Sequence, residues 1–258
     1  MNEEHAVKVL FNLDDKFKFS CHGELACYNT CCRDINIFLT PYDVLRMRKA
    51  VGLSSQELLK TYTIALTGEE GLPLLVLKMR EDKDKTCPFV GSDGCGIYLD
   101  RPWSCRMYPV FPVSSEEREF LIEKKSACLG FGGDKQTTIR DWKRDQGIEI
   151  YDKMNEAYKA ITHHDYFEKG GKLDPGKTRL VYSACYDLDA FKRFIFETRF
   201  FDIYDVERGL IEKIKEDEEE LLNFGYRWVR FSLFSEDTLK LKDKQMDKLL
   251  QLRSKTSS

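Results

Sequence analysis

The sequence predicts a mainly α fold with a small β component, a cysteine-rich domain followed by a C-terminal helical region. Three observations carry this prediction. Capping patterns open helices at several points, apolar residues recur at helical spacing through residues 188–255, and only two short apolar runs read as strands. Eight of the nine cysteines lie in the first half of the chain. That asymmetry divides the chain into a cysteine-cluster domain at 1–165 and a helical region at 166–258, packed on or beside it.

In chain order, Thr40-Pro41-Tyr42-Asp43 reads as an N-cap, a proline at the first helical position and an acid in the first turn, opening a helix through Lys49. Ser54-Ser55-Gln56-Glu57 is a capping box that starts a helix near 58–62. The apolar run at 72–79 and a second one at 119–124 read as strands of a small sheet behind the cysteines. Gly91-Ser92-Asp93-Gly94 and Gly130-Phe131-Gly132-Gly133 are turn-forming stretches beside cysteines.

Thr138, with Asp141 three residues on, caps a helix over 138–158, and a polar loop follows at 168–177. Beyond it, Phe191, Phe194, Ile195 and Phe201 suggest one apolar helix face, and Leu210, Ile211, Ile214, Leu221 and Leu222 another. Phe224, Tyr226, Trp228, Phe231 and Phe234 form an aromatic stretch expected in the core.

Charge excludes some partners. Lys and Arg total 41 against 44 Asp and Glu, and no dense basic run occurs, so nucleic acid is not an expected partner; an unidentified protein is. Met1-Asn2-Glu3-Glu4-His5 lacks the basic and apolar parts of an export signal, and no run of ~20 apolar residues predicts a membrane span. A cytoplasmic location is therefore expected, where thiols stay reduced and clustered cysteines point to metal or catalysis instead of disulfides.

The cysteines run Cys21-x5-Cys27-x3-Cys31-Cys32, then Cys87-x7-Cys95-x9-Cys105, then Cys128. Thiolates are strong ligands for zinc and iron-sulfur clusters, and four complete either centre, so these eight supply one or two. Two groups of four is the simplest partition, and sharing of cysteines across the two groups is open. Cys31 and Cys32, as neighbours, are expected to diverge and serve different metals, or one of them none. In a formed centre the Sγ atoms should converge to ~3.5–4 Å around zinc or ~6–7 Å around a cubane. The spacing leaves zinc and iron-sulfur both open.

Arg101 and Arg106 flank Cys105, where guanidinium groups would offset the negative charge of a thiolate centre. With Tyr108 they are the expected surroundings of the metal. Cys185, alone in the second half, reads as core. His22 reads as exposed or adjoining the ligand set, and His163-His164 as a helix end.

Taken together, Phe19-x-Cys21, Cys27, Cys31-Cys32, Cys87-Pro88-Phe89, Cys95-x-Ile97-Tyr98 and Arg101-Pro102-x-x-Cys105-Arg106-x-Tyr108-Pro109 resemble the YkgJ-like cysteine-cluster family of bacterial and archaeal zinc- or iron-chelating CxxCxxCC domains. The resemblance covers about residues 17–128 and implies metal binding without assigning one activity; a metal-binding protein whose centre is structural or handles electrons or clusters is the first reading. Cys27-x3-Cys31-Cys32 is similar to the branch that includes flagellin lysine N-methylases, so an S-adenosylmethionine-dependent protein lysine N-methylase is the alternative. A metal or cluster carrier is the second alternative. Neither a glycine-rich cofactor turn between strand and helix nor the C-x3-C-x2-C of radical enzymes occurs. No catalytic residue is assigned.

Overall fold

The computed structural model describes residues 10–113, 119–125 and 127–243. Among the described residues helices make up about 49% and strands about 16%, the strands in sheets of two or three, so the fold is mainly α with a small β component. The chain forms two compact units, one from 1–51, 61–64 and 75–153, the other from 52–60, 65–74 and 154–258.

In the first unit, Phe120–Ile122 is the middle strand between Leu10–Phe11 and Val110–Pro112, both antiparallel to it. Lys16–Lys18 pairs with Gln136–Thr138. Phe17, Phe19, Met107, Val110, Phe120, Ile139 and Ile148 close into a core against which Trp103, Tyr108, Cys128 and Phe131 pack. Burial of these large side chains is the main stabilising term, about 1.5–3 kcal/mol for each fully buried one.

The strand expected at 72–79 is present as Pro73–Leu77, but Leu75 and Val76 pair with Leu39 and Phe38. Two small sheets therefore replace the single expected one. An apolar run marks a strand without naming its partner, and the partners here are too short to show a period of two.

The Pro41–Val51 helix opens as its sequence predicts. The Thr40 hydroxyl accepts the Asp43 N–H at 3.2 Å, and an Asp43 carboxylate oxygen accepts the Thr40 N–H at 2.8 Å. The helix expected over 138–158 is instead two. Thr138 caps Ile139–Asp145 by accepting from Asp141, then the chain turns at Gly147 and resumes as Ile148–Thr162. Gly147 has φ 63°, a left-handed conformation that breaks a helix and that glycine adopts without a Cβ clash.

In the second unit, Ser54 and Glu57 form the predicted capping box, the serine N–H donating to the carboxylate at 3.0 Å. Helices Pro175–Cys185, Leu188–Glu197, Arg208–Glu216 and Glu218–Phe234 build its core. The expected loop at 168–177 already contains the start of the first of these: Asp174 caps it through Gly176 and Lys177, with Pro175 at the first helical position. Pro-Gly marks a helix start here because an Asp precedes it. Of the aromatic stretch, Phe224, Tyr226 and Trp228 are buried as expected, whereas Phe231 and Phe234 are half-buried; Phe191 is buried on its own helix, and Cys185 is fully buried. Residues 244–255 of the predicted helical stretch lie outside the described residues. Among the described residues no helix is long and apolar enough to cross a membrane.

Candidate metal centre

Four segments deliver the eight cysteines to one side of the first unit's core. The first is a string of tight turns: Leu25 N–H donates to His22 O, Tyr28 to Leu25, Thr30 to Cys27 and Cys32 to Asn29, at 2.8–3.2 Å. It ends in the 3-10 helix Thr30–Cys32. The second returns beside it. Cys87 N–H donates to Cys32 O at 2.9 Å, and Arg33 and Thr86 form an isolated bridge.

From Cys87 the chain turns into a hairpin, Val90–Gly91 with Gly94–Cys95, that sets Val90 opposite Cys95. Val90 N–H donates to Cys87 O at 3.1 Å and closes the turn. The Arg80 guanidinium clamps it by donating to Pro88 O at 2.9 Å and Val90 O at 3.1 Å. Gly94 has φ 111°, and a Cβ there would lie 2.5 Å from the Tyr28 hydroxyl, so the hairpin and the first segment are in van der Waals register only with glycine.

Cys105 sits in the short helix Trp103–Met107. Asp43, fully buried, accepts the Trp103 N–H at 2.8 Å, and Asp152 accepts the Trp103 indole N–H at 2.7 Å. Met107 anchors the other end in the core. The fourth segment brings Cys128 back to the first. Leu129 N–H donates to Cys27 Sγ at 3.3 Å, and Ser20 N–H donates to Gly130 O at 2.9 Å.

All nine cysteines are free thiols, with Cys21 and Cys31 exposed and the other six of the candidate set partly buried. Their electrostatics show which face which. Cys21 is pushed up by burial and then by Cys31, Cys128 and Cys27. Cys105 is pushed up to about 12 by burial, then by Cys87, Asp43 and Cys95, with Arg101 opposing. Cys87 is raised by burial, with Cys95 adding to it and Arg80 opposing.

Cys31 and Cys32 do not diverge as expected, because their thiols share a hydrogen bond. It pulls Cys31 down to about 6 and, with burial and the nearby Cys105 and Cys87, pushes Cys32 up.

Arg106 does not face the sulfurs. Its guanidinium donates to the carbonyls of Arg101, Gln146 and Leu99 and lies over the Tyr151 ring at 4.6 Å, which makes it a clamp on the Cys105 loop. Arg101 stacks on Tyr98 at 3.9 Å and donates to Gln146, and its charge acts on both Cys21 and Cys105. Its Nε is buried without an acceptor. Tyr108 lies against Cys128, and its hydroxyl is pushed up first by burial and then by a hydrogen bond with that thiol. A buried donor without an acceptor costs about 1–3 kcal/mol. Metal-bound thiolate or sulfide is an acceptor suited to the Arg101 Nε, so the residues present fit a thiolate centre.

Among the described residues no three Cys, His, Asp or Glu side chains stand as close as a single bound ion would hold them. The expected convergence of Sγ atoms around one ion is thus not present in the free thiols. The backbone hydrogen bonds bring the cysteine-bearing segments together. His22 is exposed and pairs with Glu24 at 3.7 Å, outside the cysteine set. Leu129–Gly132 is a 3-10 turn leading towards the strand Gln136–Thr138, so those glycines do not open a helix at a cofactor.

Sequence reasoning missed Asp43, Arg80, Tyr28 and Asp152 as supports of the site. Asp43 carried a signal only as a helix acid. Arg80 lies in a run of charges that has no spacing to distinguish it.

Clustered thiols on turns braced by buried polar clamps define a cysteine-rich region. Residues 20–129 of the chain match the family model CxxCxxCC, described as a "putative zinc- or iron-chelating domain". No curated protein and no solved structure matches the chain.

Proposed function

We propose that residues 20–129 bind metal through cysteine thiolates, as zinc or an iron-sulfur centre, in a structural, electron-handling or cluster-handling role. The observation that carries this reading is the gathering of eight free cysteines from four segments beside a buried donor, Arg101 Nε, that lacks an acceptor, with the Tyr108 hydroxyl against Cys128. Arg101 and Tyr108 would hydrogen-bond to sulfur, and Arg101 would offset charge. Arg106, Arg80 and Asp43 would hold the loops that present the thiols. When bound, zinc would supply a rigid cross-link among the loops, and an iron-sulfur cluster would supply one-electron redox chemistry.

Elemental analysis with an optical spectrum, on protein purified without oxygen, tests the reading. Iron with acid-labile sulfide and a broad band near ~400 nm is expected for a cluster. A colourless protein with stoichiometric zinc also bears the reading out and favours the structural role. A folded protein that takes up neither metal under reducing conditions overturns it.

A further inference from the structure

We infer that the eight cysteines form two separate metal centres partitioned across the sequence order, with Cys21, Cys27, Cys31 and Cys128 at one and Cys32, Cys87, Cys95 and Cys105 at the other. This rests on the metal-binding reading of the preceding section and goes beyond it in assigning the ligands.

The backbone carries the partition. Cys27 Sγ accepts the N–H of Leu129, the residue after Cys128, and the Ser20–Gly130 hydrogen bond holds the flanks of Cys21 and Cys128 together. On the other side, Cys87 N–H is bonded to Cys32 O, the turn at Cys87 O–Val90 N runs into the hairpin that carries Cys95, and Cys105 lies within electrostatic reach of Cys87 and Cys95. Cys21 has Cys31, Cys128 and Cys27 as its cysteine neighbours, whereas Cys32 has Cys105 and Cys87 besides the adjoining Cys31.

Each set contains four sulfurs, the number that completes one tetrahedral zinc site or one four-cysteine cluster. Cys31 and Cys32 are the point where the two sets adjoin. Arg101, whose charge acts on Cys21 of one set and Cys105 of the other, serves both. The sets also differ in access: the first contains both exposed cysteines, Cys21 and Cys31, and the second contains none. The first centre is the one from which a chelator removes metal sooner.

Metal stoichiometry of the full chain, loaded with zinc alone under reducing conditions, tests the partition. Wild-type protein is expected to bind two equivalents. C27S/C128S and C87S/C95S should each keep one, and the four-fold variant none. Adding C32S to C87S/C95S should cost nothing further, while adding it to C27S/C128S should abolish binding. Loss of all metal in either double variant, one equivalent in the wild type, or C32S behaving as a member of the Cys27 set overturns the partition. A wild type that binds neither zinc nor iron with sulfide overturns the metal-binding reading itself.

Circular dichroism checks that each variant folds. For any that does not, bridging of thiols by dibromobimane in the metal-free wild type, mapped by mass spectrometry, gives the same answer. Bridges should fall within each set and between Cys31 and Cys32. Bridges from Cys27 or Cys128 to Cys87, Cys95 or Cys105 contradict it.

Discussion

Cys105→Ser is expected to halve the metal content and to lower the stability of the metal-loaded protein by on the order of 5 kcal/mol, while changing the metal-free protein by only about 1–2 kcal/mol. The asymmetry follows from what surrounds the residue. Without metal, Cys105 is a partly buried thiol held protonated by burial and by Cys87, so a serine hydroxyl of similar size is a modest change. With metal, the thiolate is one ligand of four, and the binding free energy of a structural zinc site, about 10–16 kcal/mol in small peptides, is folding free energy. Urea unfolding of loaded and stripped protein, run in parallel with metal analysis, measures both sides. Equal losses in the two forms, with metal content unchanged, would remove Cys105 from the ligands.

Asp43→Ala is expected to destabilise the first unit by about 2–4 kcal/mol near pH 5, with or without metal. Asp43 is 0% exposed, and its two oxygens accept the Thr40 and Trp103 N–H groups at 2.8 Å each, so its loss removes a helix cap and orphans the start of the Cys105 helix. Burial pushes its carboxyl up to about 6 from the ordinary 3.8, against the pull of those hydrogen bonds. The sign of the pH effect follows. Between about pH 4 and 6 the folded state holds the proton more tightly than the unfolded state, so the stabilising contribution is full below pH 3.8 and is lost as pH rises through about 6.

The part of stability that Asp43 contributes should therefore shrink by up to about 3 kcal/mol between pH 4 and 7. Urea unfolding of wild type and Asp43→Asn across that range measures it. The wild type should lose ground to the asparagine variant as pH rises. Parallel curves would show that Asp43 titrates alike in both states.

Local chemistry was legible in the sequence, and pairing was not. Thr40-Pro41-Tyr42-Asp43 and Ser54-Ser55-Gln56-Glu57 carry their caps within four residues, and both helices start where those patterns place them. The break at Gly147 was hidden because amphipathic spacing runs on through Ile148 and Tyr151, both buried, on either view. The helix start at Asp174-Pro175 is hidden because Pro-Gly suits a turn as well as a first helical residue.

At the site, the eight cysteines announced themselves by number and clustering. The split between neighbours Cys31 and Cys32 was legible from their adjacency, but the segment that Cys32 would join was not, since the Cys87 N–H to Cys32 O bond that ties it to the second segment leaves no trace in spacing. Nor did Arg106 differ in sequence from Arg101, although one clamps carbonyls and the other has a buried Nε without an acceptor. Chain reversal decides such roles, and neither spacing nor residue type encodes it.

X-ray absorption at the metal edge of the loaded protein is the most direct measurement. A first shell of sulfur alone, at about 2.3 Å, is expected for zinc or for cluster iron held by these thiolates. A shell dominated by nitrogen or oxygen would contradict cysteine ligation and return the eight thiols to a role without metal.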